Sequence, residues 1–422
     1  MSTHLGDDRA AAELAAGSLR TTVAIRERAN QLLRRARTGD SRWFIVDDGF
    51  METCAMEIVQ ATRERYRHGN VPLHGRWRHF EAGGVDRRAQ LLKRIGDVPN
   101  AVKAHSLIDL TILSVLLDAG AGPDWKYTEA ATGKTFTRSE GLAVATFHAF
   151  TGGLFSSDNN RPLQVDSTAL RALPTERLKQ VFQVTQTNPL VGIEDRAILL
   201  RRFGEIMAEQ PEVFGNDVAR PSGIFDEMIS PLGPDVPHTA DVAAHDILSQ
   251  LLTSMQDIWP AGNQIGHVAL GDCWRHSAVH GPGLTDGWVP FHKLSQWMTY
   301  SLLEPFEWSG VKVRDAHLLT ALPEYRNGGL LLDSGLLRLR DEAVAKETWQ
   351  VGDEVIVEWR ALTVALMDDV AHSVRRHMRV DEHHMPLAKI LEGGSWAAGR
   401  ALAERLRGGL PPLKVVSDGT VF

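Results

Sequence analysis

The chain has 422 residues, 43% of them hydrophobic and 23% charged, with a formal net charge of −7. That balance supports a sizeable core, excludes a disordered or fibrous chain, and argues against nucleic acid as a default partner. Its two cysteines, Cys54 and Cys273, exclude a disulfide framework and fit a reducing cytoplasm.

The opening stretch MSTHLGDDRAAAELAAGSL lacks a basic region followed by an apolar core, so it does not read as a signal peptide. No apolar run approaches the roughly 20 residues of a membrane helix. A soluble cytoplasmic protein with no membrane partner is expected. Residues 11–37 carry apolar side chains at helical spacing and end in a basic turn, which predicts a helix. VDDGFMETCAMEIVQATRERY predicts a second. A loop rich in Arg, His and aromatic groups follows over 68–88, and AVKAHSLIDLTILSVLLDA reads as a helix buried nearly all round. WKYTEAATGKTFTR predicts a short hairpin turning at Thr132-Gly133-Lys134. Further helices are predicted over 139–153, 174–183, 193–209 and 238–258, with long loops over 214–238 and 259–289. Short strands are expected near 125–137 and over 350–358. With no repeat and no linker, the pattern predicts a mainly α-helical chain of one body, 1–422, whose N-terminal 1–150 could form a subdomain.

Several polar constellations stand out. In GWVPFHKLSQWMTYSLLEPF, Phe291, Leu294, Met298 and Leu302 share one helical stripe. Lys293, Gln296, Trp297, Tyr300 and Glu304 fall opposite, either as a solvated face or as a ligand-binding wall. GHVALGDCWRHSAVHG holds His267, Cys273, His276 and His280 at spacings too irregular to predict a metal site. Asp272, Trp274, Arg275 and His276 read instead as a polar loop beside a pocket. Arg76, Arg78, His79 and Arg87 form a basic loop that suits phosphate or bulk water equally. HLLTALPEYRNGGLLLD sets Glu324, Tyr325, Arg326 and Asn327 between two apolar runs, with Asp315 just upstream. Glu358 and Arg360 flank Trp359 in EVIVEWRALTVAL. With no nucleophile motif in place, chemistry rests on Asp315, Glu324 and Glu358, which salt bridges would explain as well.

RWRHFEAGGVDR, LGDCWRH, VPFHKLSQWMTYSLLEP, LTALPEYRNGGLLLD, VEWRALTVAL and LAKILEGGSWAAGR together resemble the uracil-catabolism family of bacteria and fungi. The resemblance covers nearly the whole chain, with Cys273 a departure where an aliphatic residue is expected. It implies a pathway in which uracil becomes its ribonucleotide and the ring is opened. More distantly, Phe291-x-Lys293-x-x-Gln296, Asp315, Leu319-Thr320, Glu324-Tyr325-Arg326 and Glu358-x-Arg360 are similar to the queuine-salvage enzymes. Trp125-Lys126-Tyr127 and Gly133-Lys134 extend that likeness, and Glu324 stands where those enzymes carry an Asp. Those enzymes hydrolyse the N-glycosidic bond of queuosine 5′-phosphate on a helical scaffold related to DNA glycosylases.

The two likenesses imply a DNA-glycosylase-like helical fold and an N-glycosidase acting on a phosphorylated riboside, with no cofactor and no metal. The substrate implied is a ring-opened uracil ribonucleotide such as ribosylurea 5-phosphate. Glu324 or Asp315 would be the catalytic carboxylate, oriented by Tyr325 and Arg326. Lys293 and the arginines of the 76–87 loop would hold the phosphate, and Trp297 and Tyr300 would wall the base. An amidohydrolase on the ureido fragment and a noncatalytic nucleotide-binding scaffold are the alternatives.

Overall fold

The computed structural model describes residues 2–229, 241–258 and 262–416. The described chain is mainly α-helical, and its strands are pairs of two or three residues each. It forms two compact units, each assembled from segments distant in sequence. The first comprises residues 1–74, 261–296 and 315–422, and the second 75–260 and 297–314.

The first unit is organised on the helix Glu354–Met378, in which every residue from Val355 to Met367 is buried. A helix covered on all sides carries no 3.6-residue stripe, so its E-V-I-V-E-W start read as a strand. The strand is confined to Thr348–Gln350, paired parallel with Lys414–Val416, and the expectation of a strand over 350–358 is corrected accordingly. Helices Thr22–Thr38, Met51–Arg65 and Tyr325–Asp333 pack on Glu354–Met378. The single helix predicted over 11–37 is two, Ser2–Leu19 and Thr22–Thr38. Thr21 breaks them, because its extended backbone lets the hydroxyl accept from the Ala24 N–H at 3.0 Å and start a new helix.

Behind this layer, Leu387–Ile390 runs through a π-helical turn, Leu391–Ser395, into Trp396–Arg407. Glycines set the approach. A Cβ on Gly394 would lie 2.2 Å from the Ile58 carbonyl, and one on Gly399 2.3 Å from that of Arg326. The π turn aims Glu392 inward, where it accepts from Arg65 at 2.9 Å, Tyr66 at 2.8 Å and His74 at 2.9 Å. Burial pushes that carboxyl up, but the hydrogen bond and charge of His74, the Tyr66 hydroxyl and the Arg65 charge hold it down at about 2. The 259–289 region contains paired strands, Gln264–Ile265 with Val268–Ala269 and Cys273–Arg275 with Trp288–Pro290.

In the second unit, Asn100–Leu116 is buried continuously from Ser106, as its apolar run predicts. Arg138–Thr151 packs on it, and Ile193–Glu209 meets Ser167–Arg171 across Gly204. Tyr127–Thr128 and Thr135–Phe136 form the expected hairpin, with Gly133 at φ 67° in the turn. The loop expected over 68–88 is partly helical, over Arg76–Phe80 and Ala82–Gly84, and the helix Arg87–Ile95 begins at its end. The helix expected over 238–258 is Ala244–Ser254, preceded by Asp241–Ala243 paired with Lys312–Arg314, while 238–240 lie outside the described residues. Within the loop expected over 214–238, Gly223–Ile229 is helical and 230–238 lie outside the described residues. No helix among the described residues is long and apolar enough to cross a membrane.

Candidate functional site

The residues predicted for a site meet most densely in the first unit, around Asp272. This carboxylate ends the loop before Cys273–Arg275 and faces the start of the helix Lys293–Trp308. His292 takes a left-handed conformation, φ 47°. The resulting bend brings the Phe291 and His292 N–H groups to the Asp272 carbonyl at 2.9 and 3.1 Å, and the Lys293 N–H to its Oδ2 at 2.9 Å. Arg360 then donates to both Asp272 oxygens at 2.7 Å, and Trp274 Nε1 to Oδ1 at 2.8 Å. Burial raises the Asp272 carboxyl, yet the Arg360 charge and these donors hold it below the usual carboxylate range. The Arg360 guanidinium also lies 4.2 Å from the centre of the Phe291 ring, and its Nε reaches the Pro323 carbonyl at 3.3 Å.

Pro323 leads directly into Glu324. Glu324 is the N-cap of Tyr325–Asp333, and its two oxygens accept from the Arg326 and Asn327 N–H groups at 2.7 Å each. Burial pushes its carboxyl above the ordinary value, opposed by those two hydrogen bonds and by the charges of Lys293 and Arg326. The rest of the polar knot has structural tasks. Asn327 donates to the Leu322 carbonyl at 3.3 Å and accepts from Ser395 at 2.9 Å. Gly328 lies inside the helix because a Cβ there would sit 2.8 Å from Trp359 and Thr363. Its carbonyl accepts from Trp359 Nε1 at 3.2 Å. The helix starts directly after Glu324, and Gly328 and Gly329 lie inside it. Arg326 serves Glu324 through its backbone, while its guanidinium points to the Gly409 carbonyl, 3.5 Å away, and lies over Tyr325 and Trp396.

Asp315 is half-buried and left-handed, φ 58°, at the start of the turn Ala316–Leu318. Arg26, paired with Asp368 at 2.8 Å, grips that turn by the Leu318 and Leu319 carbonyls. Just beyond, Thr320 donates to Gln296, whose amide donates to the Phe291 carbonyl at 2.8 Å. Glu358 accepts from Ser41 and from His276, 3.2 Å away. The His276 Nδ1 accepts from Ala278, so Nε2 carries the shared proton, and the group ties three segments rather than forming a nucleophile triad.

The remaining expected residues lie elsewhere. Arg275 is spread on Trp288, 3.9 Å from the ring centre. In the second unit, Arg76 pairs with Asp118 at 3.0 Å and Arg87 with Glu129 at 2.8 Å, all four buried or nearly so. Arg78 meets Glu304 at 3.0 Å, and His79 lies edge-on to Trp297 at 5.8 Å. Glu304, despite Arg78, is pushed up by burial to about 7. Trp297 and Tyr300 are 7% and 1% exposed, so the polar side of their helix is not a solvated face. His267, His276 and His280 engage Glu13, Glu358 and Asp286 separately. Among the described residues, no three His, Cys, Asp or Glu side chains are grouped to hold a metal ion.

His292 gives this site an acid limit. It is 5% exposed, its Nε2 lies 3.1 Å from the Leu19 carbonyl, and burial lowers it from 6.5 to about 4. A carbonyl only accepts, so Nε2 donates and the neutral ring suffices. The unfolded chain therefore binds the extra proton first as pH falls. The stability tied to neutral His292 is complete above pH 6.5 and is lost on the way down to about 4. Urea denaturation across that range should show a slope that His292→Asn flattens, since Asn tolerates the left-handed conformation.

The family described as "Protein of unknown function (DUF1688)" matches residues 18–422. Protein urg3 of Schizosaccharomyces pombe is 38% identical over 407 residues, which are 94% of this chain and 96% of that protein. Uracil catabolism protein 4 of Lachancea kluyveri is 38% identical over 382 residues, with 84% of this chain and 86% of that protein covered. On matches of this extent the chain belongs to that family, the uracil-catabolism family that its motifs resemble.

Proposed function

We propose that the protein acts in uracil catabolism as an N-glycosidase on a ring-opened uracil ribonucleotide such as ribosylurea 5-phosphate. Water adds to the anomeric carbon as the carbon–nitrogen bond breaks, and the proton it loses ends on the departing ureido nitrogen. The products are ribose 5-phosphate and urea. The observation that carries this reading is Glu324, a half-buried carboxylate whose oxygens are fixed by two backbone N–H groups. Positive charge develops at the anomeric carbon of an oxocarbenium-like transition state, and a preorganised anion in a dry setting stabilises it strongly.

Burial works against the ionised form of Glu324 that the reaction needs, and the two N–H groups and the charges of Lys293 and Arg326 oppose that effect. The Asp272–Arg360 pair holds both ends of this arrangement, the Lys293 N–H and the Pro323 carbonyl. Asp315 is the second carboxylate and the candidate for guiding the water. Incubating the purified protein with ribosylurea 5-phosphate should release ribose 5-phosphate and urea in equal amounts. Tight binding with no release of either product would refute the hydrolase and leave a nucleotide-binding scaffold.

A further inference from the structure

Among the described residues, most buried arginines are matched to a carboxylate or a set of carbonyls, whereas Arg28, which has Thr285 at 3.2 Å and an exposed Glu27 at 4.0 Å, and Arg326 are less fully matched. Arg87 and Arg360 make paired bonds to Glu129 and Asp272, and Arg76 faces Asp118. Arg196 gives its N–H groups to the carbonyls of Leu117, Val191 and Gly120. Arg326 is 4% exposed and has neither arrangement. Among the described residues its Nε has no hydrogen-bond partner, and its single side-chain hydrogen bond is the 3.5 Å contact to Gly409. A buried guanidinium without a carboxylate is costly to maintain.

Its surroundings suit a charged ligand. The guanidinium lies 4.8 Å from the centre of the Tyr325 ring and 6.0 Å from that of Trp396. Arg400, exposed on the next turn of the same helix as Trp396, reaches 5.7 Å from the Trp396 ring. Two arginines thus flank one indole that is itself half-buried, and the Gly399 contact locks the helix that carries it onto the Arg326 backbone. Planar guanidinium forks match the oxygens of a phosphate monoester, and aromatic faces hold them in orientation.

We propose that Arg326 and Arg400, held by Tyr325 and Trp396, bind the phosphate monoester of the substrate. This rests on the hydrolase reading, because the Arg326 N–H bonds the Glu324 carboxylate and so ties the phosphate end to the reacting end. It moves the phosphate away from the arginines of the 76–87 loop, of which Arg76, Arg78 and Arg87 already face carboxylates.

Calorimetric titration of the full-length protein with ribose 5-phosphate, ribose and inorganic phosphate tests it. Ribose 5-phosphate should bind about 100-fold more tightly than ribose, the scale of two charge-assisted contacts. Arg400→Gln, a surface change that leaves folding intact, should weaken ribose 5-phosphate about tenfold and leave ribose unchanged. Arg326→Lys, which keeps the charge and loses the fork, should weaken it at least as much with an unchanged far-UV spectrum. Equal affinities for ribose and ribose 5-phosphate, or wild-type binding by both variants, would overturn the assignment. Inorganic phosphate binding as tightly as ribose 5-phosphate would also overturn it, as the recognition of an organic monoester. If ribose 5-phosphate binds as described but no substrate is hydrolysed, the hydrolase reading fails and this site stands. If turnover is present but insensitive to both arginines, the converse holds.

Discussion

Glu324→Gln should lower kcat on the ring-opened ribonucleotide by about three orders of magnitude while leaving KM within a few-fold of wild type. The substitution keeps shape and one acceptor oxygen, and removes the charge that the transition state needs. Its structural cost is small for a specific reason. Burial already works against the ionised carboxyl, so a neutral amide relieves a desolvation penalty even as it loses a hydrogen bond to the helix start. Melting should therefore shift by only a few degrees, in either direction. Glu324→Ala is a poorer probe, because it removes the helix cap along with the charge. Asp315→Asn is the necessary companion: a comparable fall there with Glu324→Gln unaffected would move the chemistry to Asp315. Wild-type turnover in both variants would leave the polar knot as a packing device.

The largest loss of stability is expected at Asp272→Asn, on the order of 3–5 kcal/mol. The Arg360 side chain is 1% exposed and would keep its charge with no anion opposite. The Lys293 N–H and the Trp274 indole would lose part of the same acceptor set. Arg360→Met strands the largely buried aspartate and should cost a similar amount. Because each single change leaves an unpaired charge, the double variant should be more stable than the sum of the two predicts, and chemical denaturation of all four proteins measures that coupling. The pH dependence separates this pair from His292. The Asp272 carboxyl is held below its ordinary value, so its contribution is complete above about pH 4 and is lost only below that. The part of the change between pH 6.5 and 4 that His292→Asn removes belongs to the buried imidazole, while Glu304, raised to about 7, acts in the opposite sense over the same range.

Much of this architecture is legible in the sequence, for physical reasons that differ by element. Asn100–Leu116 announces itself by an apolar run too short for a membrane and too long for a strand. The 127–136 hairpin is marked by Gly133 between β-branched and aromatic flanks. The pairings that shape the site leave no such trace. Asp272 finds Arg360 across 88 positions and Lys293 across 21, and no local periodicity encodes either. The polar residues of the knot are visible as an anomaly, but their division of labour is not. Glu324 caps through its own helix, Asn327 turns to Ser395, and Gly328 exists for the close approach of Trp359. Trp396 and Arg400 stand in a recognisable motif and acquire meaning only beside Arg326. The π turn at Leu391–Ser395 is invisible for the same reason, since its register is set by Ile58 and Thr62 from far upstream.

The interleaved make-up of the two units has a consequence on the ribosome. The helices Thr22–Thr38 and Met51–Arg65 leave the exit tunnel early, yet the helix they bury against, Glu354–Met378, is translated some 300 residues later. At about 5–20 residues per second, that interval lasts tens of seconds. Throughout it, Ile25, Leu32, Leu33, Ile58 and Val59, which the finished protein buries almost completely, have no native partner there. Most of the second unit, residues 75–260, emerges in between as one continuous stretch and can collapse on local contacts first. The nascent protein thus carries two amphipathic helices tethered ahead of a folding body, with their apolar faces unburied by Glu354–Met378 until that last segment arrives.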